Sequence, residues 1–194
     1  RTQRPGPLGP GRLFLDDGLT VVAAFPDDAR LRGLARLHDA RRRRRTLREL
    51  LPERPGAWEG EARLLVYKPE RRCGLRWEEG GVPTAVVKVY TPSGYVGARA
   101  GAQAFAPREK LRLARRLGSC ERYGAIAWEW VEGAPLSQAL AGATLDERAV
   151  SDVGGALAAL HDQDAPGLAV VGAEDEAEAL LRFAAGLHVL GEAN

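Results

Sequence analysis

Between residues 61 and 90 the chain sets three strand-forming runs almost end to end, and that spacing restricts its folding more than any other feature. The runs are 61–67, 73–77 and 84–90. Their joints are Lys68-Pro69-Glu70-Arg71-Arg72 and Glu79-Gly80-Gly81-Val82-Pro83, both built from residues that end regular structure. Such joints connect successive antiparallel strands. A helix of small residues is expected next, over 95–105, closed by Pro107. Two more strands are expected at 111–117 and 124–131, around a turn near Ser119-Cys120-Glu121-Arg122. Together these predict an antiparallel sheet of about five strands, interrupted by one helix after the third.

The flanks differ from this middle part. Residues 12–25 read as a hairpin, with an Asp17-Gly18 turn between Leu13-Phe14-Leu15 and Leu19-Thr20-Val21-Val22. After Pro26, Asp27 or Asp28 can cap one Arg-rich helix running to about Leu51, with Leu31, Leu34 and Leu37 on one face and Leu47, Leu50 and Leu51 later. Beyond the joint Gly133-Ala134-Pro135 the chain turns helical. Thr144 and Glu147 form a capping-box pattern for a helix to His161, with Val150, Val153, Leu157 and Leu160 as its apolar stripe. A last helix is expected over 174–190, with Leu180, Ala184 and Leu187 facing inward. The predicted class is α+β in three parts: an N-terminal extension (1–58), a sheet lobe (59–132) and the first helices of a second lobe (133–194).

Charge follows the same division. Residues 1–120 hold 25 basic and 13 acidic side chains, and residues 121–194 hold 3 basic and 13 acidic, within a chain of formal net charge +2. An anion-friendly first part and a cation-friendly second part follow from this, or simply two unlike lobes that attract each other. No apolar run is long enough to span a membrane. Two cysteines are too few for a disulfide scaffold, so a cytoplasmic setting is expected. A chain opening on Arg1 with no methionine is expected to be part of a longer protein.

The residue with the most chemistry to offer is Lys88, centred in Ala85-Val86-Val87-Lys88-Val89-Tyr90. A lysine in a β-branched strand either sits on the wet face of the sheet or reaches an anion. In order along the chain, the Lys88 strand, the stretch Trp128-Glu129-Trp130-Val131-Glu132-Gly133 followed by Pro135-Leu136, and Leu157-Ala158-Ala159-Leu160-His161 resemble the first half of the aminoglycoside phosphotransferase and choline kinase type of enzyme. The Tyr67-to-Cys73 strand pair is similar to the nucleotide-covering hairpin of that group. The resemblance spans roughly residues 60–165.

The resemblance implies a protein-kinase-like bilobal fold and a set of roles. Lys88 would place its charge on the α- and β-phosphates of ATP or GTP. Glu129, Trp130 and Val131 would form the hinge, offering backbone groups to the base, and Lys68, Arg71 and Arg72 would lie over the phosphates. Mg²⁺ would accompany the nucleotide, with its ligands outside this chain. Three departures accompany it. No GxGxxG covers the phosphates. The helix after Lys88 carries no glutamate to pair with it, so Glu109, just past Pro107, is the nearest acidic candidate. The His-Gly-Asp catalytic loop does not occur by Asn194, so no catalytic residue is assigned within the chain.

The implied function is the nucleotide-binding portion of a small-molecule phosphotransferase acting on a hydroxyl, with a cationic acceptor suited to the acidic second part. The alternative is a non-catalytic kinase-like module that binds or regulates a partner. Whether the chain works as an enzyme is open between these. Five consecutive arginines, 41–45, invite a nucleic-acid reading, but five successive residues spray around a helix with no aromatic interleaving, so a solvated face is expected. Two distant cysteines and three scattered histidines match no metal-ligand spacing. Residues 1–58 lie outside the resemblance and either cap the sheet or build a dimer contact.

Overall fold

A computed structural model describes residues 5–6, 9–10, 12–14, 21–140, 146–168 and 170–191. The first pieces are short strands: β1 (Pro5–Gly6) pairs with β2 (Gly9–Pro10), and β3 (Arg12–Phe14) pairs antiparallel with β4 (Val21–Ala23). The second pair is the expected hairpin; its Asp17-Gly18 turn lies outside the described residues.

The single N-terminal helix expected from sequence is two. α1 (Arg32–His38) stops at Asp39, whose carboxylate accepts hydrogen bonds from the Arg41 and Arg42 amides and opens α2 (Ala40–Leu50). An aspartate satisfying two orphan donors starts a helix more readily than it continues one, so the chain turns there. The turn lets both leucine faces meet the same surface. The arginines at 41–45 stay outside, with Arg44 facing Glu59 at 3.1 Å.

That surface is the sheet. β5 (Glu61–Lys68), β6 (Arg72–Glu79) and β7 (Val82–Tyr90) follow as a meander. α3 (Pro92–Ala104) comes next, then β8 (Arg116–Cys120) and β9 (Ala125–Glu129). The sheet is antiparallel in the order β5-β6-β7-β9-β8. The chain is therefore α+β with one five-stranded antiparallel sheet and a helix after the third strand. The last strand, expected over 124–131, stops at Glu129, and two elements move further. α3 begins at Pro92 because Thr91 caps it, accepting from the Gly94 amide at 3.2 Å, and Pro92 suits a first helical position. The fourth strand is 116–120 rather than 111–117. Gly118 explains the shift: β8 crosses α2 so closely that a Cβ there would sit 2.4 Å from the Leu50 carbonyl oxygen.

Side chains alternate across the strands. Cys73, Leu75 and Trp77 of β6, Ala85, Val87 and Val89 of β7, and Ala125 and Ala127 of β9 form one buried set. It packs against Leu31, Leu34, Leu37, Leu47, Leu50 and Leu51, all six at 0 or 1% exposure. Each such leucine contributes roughly 1.5–3 kcal/mol by leaving water. Three polar groups in this layer are answered: Trp77 Nε1 donates to the Ala57 carbonyl at 2.7 Å, Trp58 Nε1 to the Leu51 carbonyl at 2.9 Å, and an Arg54 guanidinium nitrogen to the Thr84 carbonyl at 2.6 Å. The N-terminal segment thus caps the sheet and shares its core.

The helical part comprises α4 (Leu136–Leu140), α5 (Glu147–His161) and α6 (Ala173–Gly191). Asp146 caps α5 by accepting from the Ala149 amide at 3.0 Å; Thr144, the expected cap, lies outside the described residues. α5 buries no residue. Leu180 and Ala184 of α6, expected to face inward, are exposed, because no described element covers that face. The side chain of Leu187 lies outside the described residues. Gln163, just past α5, uses its amide to accept from the Ala106 amide at 2.8 Å and to donate to the Ala106 carbonyl at 3.1 Å. No helix is long and apolar enough to cross a membrane among the described residues.

Candidate functional site: a cleft under the second face of the sheet

The other face of the same strands carries Arg72, Gly74 and Arg76 on β6, Val86, Lys88 and Tyr90 on β7, and Ile126 and Trp128 on β9. α3 covers one end of it, burying Tyr95 and Ala104, and Ile126 is fully buried. Beside this covered end opens a cleft of ≈ 740 Å³. Its floor is Val86, Lys88 and Tyr90. Ala98, Gly101 and Ala102 of α3 line one side, residues 113–116 another, and Trp128 through Val131 the far wall. The small residues of α3 leave the space open.

Lys88 reaches water through this cleft. Partial desolvation by the walls and the field of Arg72 both lower its pKa from the ordinary lysine value. Its Nζ lies 6.0 Å from the centroid of the Trp128 ring. Among the described residues no carboxylate comes within ion-pair distance of it. An ammonium held without a counter-ion at the floor of a cleft is a place for an anion.

The far wall supplies different chemistry. The Glu129 carboxylate faces Arg112 at 3.7 Å and Arg115 at 3.9 Å, and its amide donates to the Arg115 carbonyl at 2.8 Å. β9 ends there. The amides of Trp130 and Val131, both on the cleft, donate to no backbone carbonyl among the described residues. Trp130 Nε1 is buried with no partner, as is Nε of Arg76, whose guanidinium carbon lies 5.9 Å from the Trp130 ring. Arg76 is held by Glu78, only 4% exposed, which also accepts from Arg63 Nε at 2.7 Å. Burial opposes the Glu78 charge, but the hydrogen bonds and fields of Arg63 and Arg76 outweigh it and lower the carboxyl's pKa.

Four residues singled out in the sequence, Lys88, Glu129, Trp130 and Val131, therefore meet in one cleft. Arg72 does not line it, yet lies close enough for its charge to act on Lys88 and Tyr90. Lys68 and Arg71 belong to the exposed β5–β6 joint, outside the cleft. Glu109 sits in an exposed turn between Arg108 and Leu111 and forms no ion pair with Lys88. Sequence reading missed Trp128, Tyr90 and Arg115 as cleft residues. The signal for the first two was strand parity: both lie on the Lys88 face once β9 is paired with β7.

The β5–β6 joint is fastened from behind. The Asp28 carboxylate accepts from the Glu70 amide at 2.8 Å and from the Tyr67 hydroxyl at 3.0 Å, besides the Arg30 and Leu31 amides at 2.8 and 3.0 Å. No protein-family model, curated protein or solved structure gives a significant match to this chain. The site's chemistry must be judged from its own residues.

Proposed function

We propose that this chain carries the nucleotide-binding portion of a kinase-like small-molecule phosphotransferase, binding ATP or GTP in the cleft of Lys88 and, within a longer chain, serving transfer to a hydroxyl. The observation that carries the reading is the Lys88 ammonium, without an ion-pair partner among the described residues, on the third strand of the sheet directly before a helix, facing a cleft whose opposite wall ends in two backbone amides that donate to no backbone carbonyl among the described residues. Lysine on the third strand followed by a helix is the kinase arrangement. The cleft volume suits a nucleotide-sized ligand, and its polar groups are few and convergent. In this reading Lys88 receives the phosphates, Arg72 adds charge beside it, and the backbone of 130–131 takes the edge of the base. The acidic balance of residues 121–194 favours a cationic acceptor.

For Mg²⁺ the fit is poor: among the described residues no three His, Cys, Asp or Glu side chains converge, so no step is assigned through it. A fluorescent-nucleotide titration tests the proposal. Lys88→Ala is expected to weaken binding at least about tenfold, or ~1.4 kcal/mol. Equal affinity for wild type and variant, or no binding to wild type, overturns it. A second reading, a binding module without phosphoryl transfer, is favoured by one observation: α3 presents no carboxylate to Lys88. Transfer of the γ-phosphate to any hydroxyl acceptor would dismiss that second reading.

A further inference from the structure

A second concavity lies on the other side of Tyr90. This smaller cleft, ≈ 280 Å³, is bounded by the first turns of α3, by residues 121–124 between β8 and β9, and by Arg30 and Arg32 of the N-terminal segment. Its charge is one-sided. Arg30, Arg32 and Arg122 line it against a single carboxylate, Glu121, which already faces Arg99 at 3.4 Å. None of the three arginines has an ion-pair partner among the described residues. α3 opens beside them with no acidic residue in its first turn, so its positive end is uncompensated. Three tyrosines, Tyr90, Tyr95 and Tyr123, also line it: Tyr95 is 4% exposed, and Tyr123 carries the Arg36 and Arg122 guanidinium carbons at 4.4 and 5.5 Å from its ring centroid.

We propose that this cleft is a binding site for a small phosphorylated molecule, separate from the cleft of Lys88. The phosphoryl group sits among Arg30, Arg32 and Arg122, and the organic part lies against Tyr95 and Tyr123. Guanidinium forks match the several acceptor oxygens of a dianion better than a single carboxylate does. The volume stands at the low end for small-ligand pockets, which favours a compact monophosphate over a macromolecular segment. Tyr90 lines both clefts, so an occupant here touches a side chain that also walls the Lys88 cleft. Any resulting change in nucleotide affinity rests on the function proposed above; the anion site itself does not.

Calorimetric titration with pyrophosphate at low ionic strength tests the site on wild type, Lys88→Ala and the double variant Arg30→Gln/Arg122→Gln. Both substituted arginines are exposed, so the fold is expected to survive, and a thermal melt checks it. The expected result is a binding event that survives in Lys88→Ala within about twofold of its wild-type affinity and weakens at least about tenfold in the arginine variant, whether or not a second event belongs to the Lys88 cleft. No binding, no event surviving in Lys88→Ala, or a smaller arginine effect on the surviving event overturns the proposal. Fluorescent-nucleotide titration of the arginine variant completes the test: a loss there equal to that of Lys88→Ala would assign the arginines to the first cleft and overturn the proposal. A wild type that takes pyrophosphate but no nucleotide sinks the function reading alone.

Discussion

The two faces of the sheet are made by alternate residues of the same strands, yet they do opposite work. Cys73, Leu75, Val87 and Val89 point into a dry layer closed by α1 and α2, whereas Val86, Lys88 and Tyr90 line a space that small residues of α3 leave open. Buried apolar area is concentrated on the first face and the water-reaching lysine on the second. A one-residue slip in register would exchange them, so the leucines of α1 and α2 also fix which way Lys88 faces.

The comparison breaks most visibly at Leu34, which is fully buried. Leu34→Ala is expected to cost about 2–5 kcal/mol in urea unfolding, through lost burial and a cavity. Lys88→Ala, at an exposed side chain without an ion-pair partner among the described residues, is expected to stay within about 0.5 kcal/mol of wild-type stability while lowering the proposed nucleotide affinity. A stability loss at Lys88 as large as that at Leu34 would erase the distinction between the faces.

Asp28 offers a smaller, pH-dependent effect. Burial works against its charge, but hydrogen bonds from Glu70, Arg30, Tyr67 and Leu31 prevail and hold its pKa below the ordinary 3.8. A lowered folded-state pKa means that the ionised form stabilises the fold above the unfolded value, and that this contribution is lost as pH falls through the folded value. Asp28→Asn is therefore expected to be less stable than wild type at pH 6, with the gap narrowing below pH about 4. Urea midpoints at the two pH values check it. Smallest of all, Arg45→Ala, on the outer side of α2, is expected to change stability by less than about 0.5 kcal/mol. A larger shift in the thermal midpoint would mean that the arginine run bears on the core.

Much of the dry face was legible in the residues, because alternation in β6 and β7 and leucine spacing in α1 and α2 are local signals. The break at Asp39 was less so: Leu34, Leu37, Leu47 and Leu50 suit one long amphipathic helix until Asp39 is seen to cap a second. Leu111, Leu113 and Leu117 alternate like a strand, but β8 starts at Arg116, where the chain reaches α2 and Gly118 allows contact. The cleft was half legible. Lys88 and the 129–131 stretch stood out by type, while Trp128 and Tyr90 joined them only through the pairing of β7 with β9 across an intervening helix and strand. No residue type announces a long-range pairing.

β7 is the middle strand of five, hydrogen-bonded along both edges. Its amides are expected to be among the slowest in the molecule to exchange with deuterium, and the charge it bears has almost no freedom to shift along its own backbone. Lys88 is thus a fixed landmark. In the proposed site, a choice between one guest and another would fall to the walls around that strand, α3 and the residues after β9, and not to movement of the strand itself.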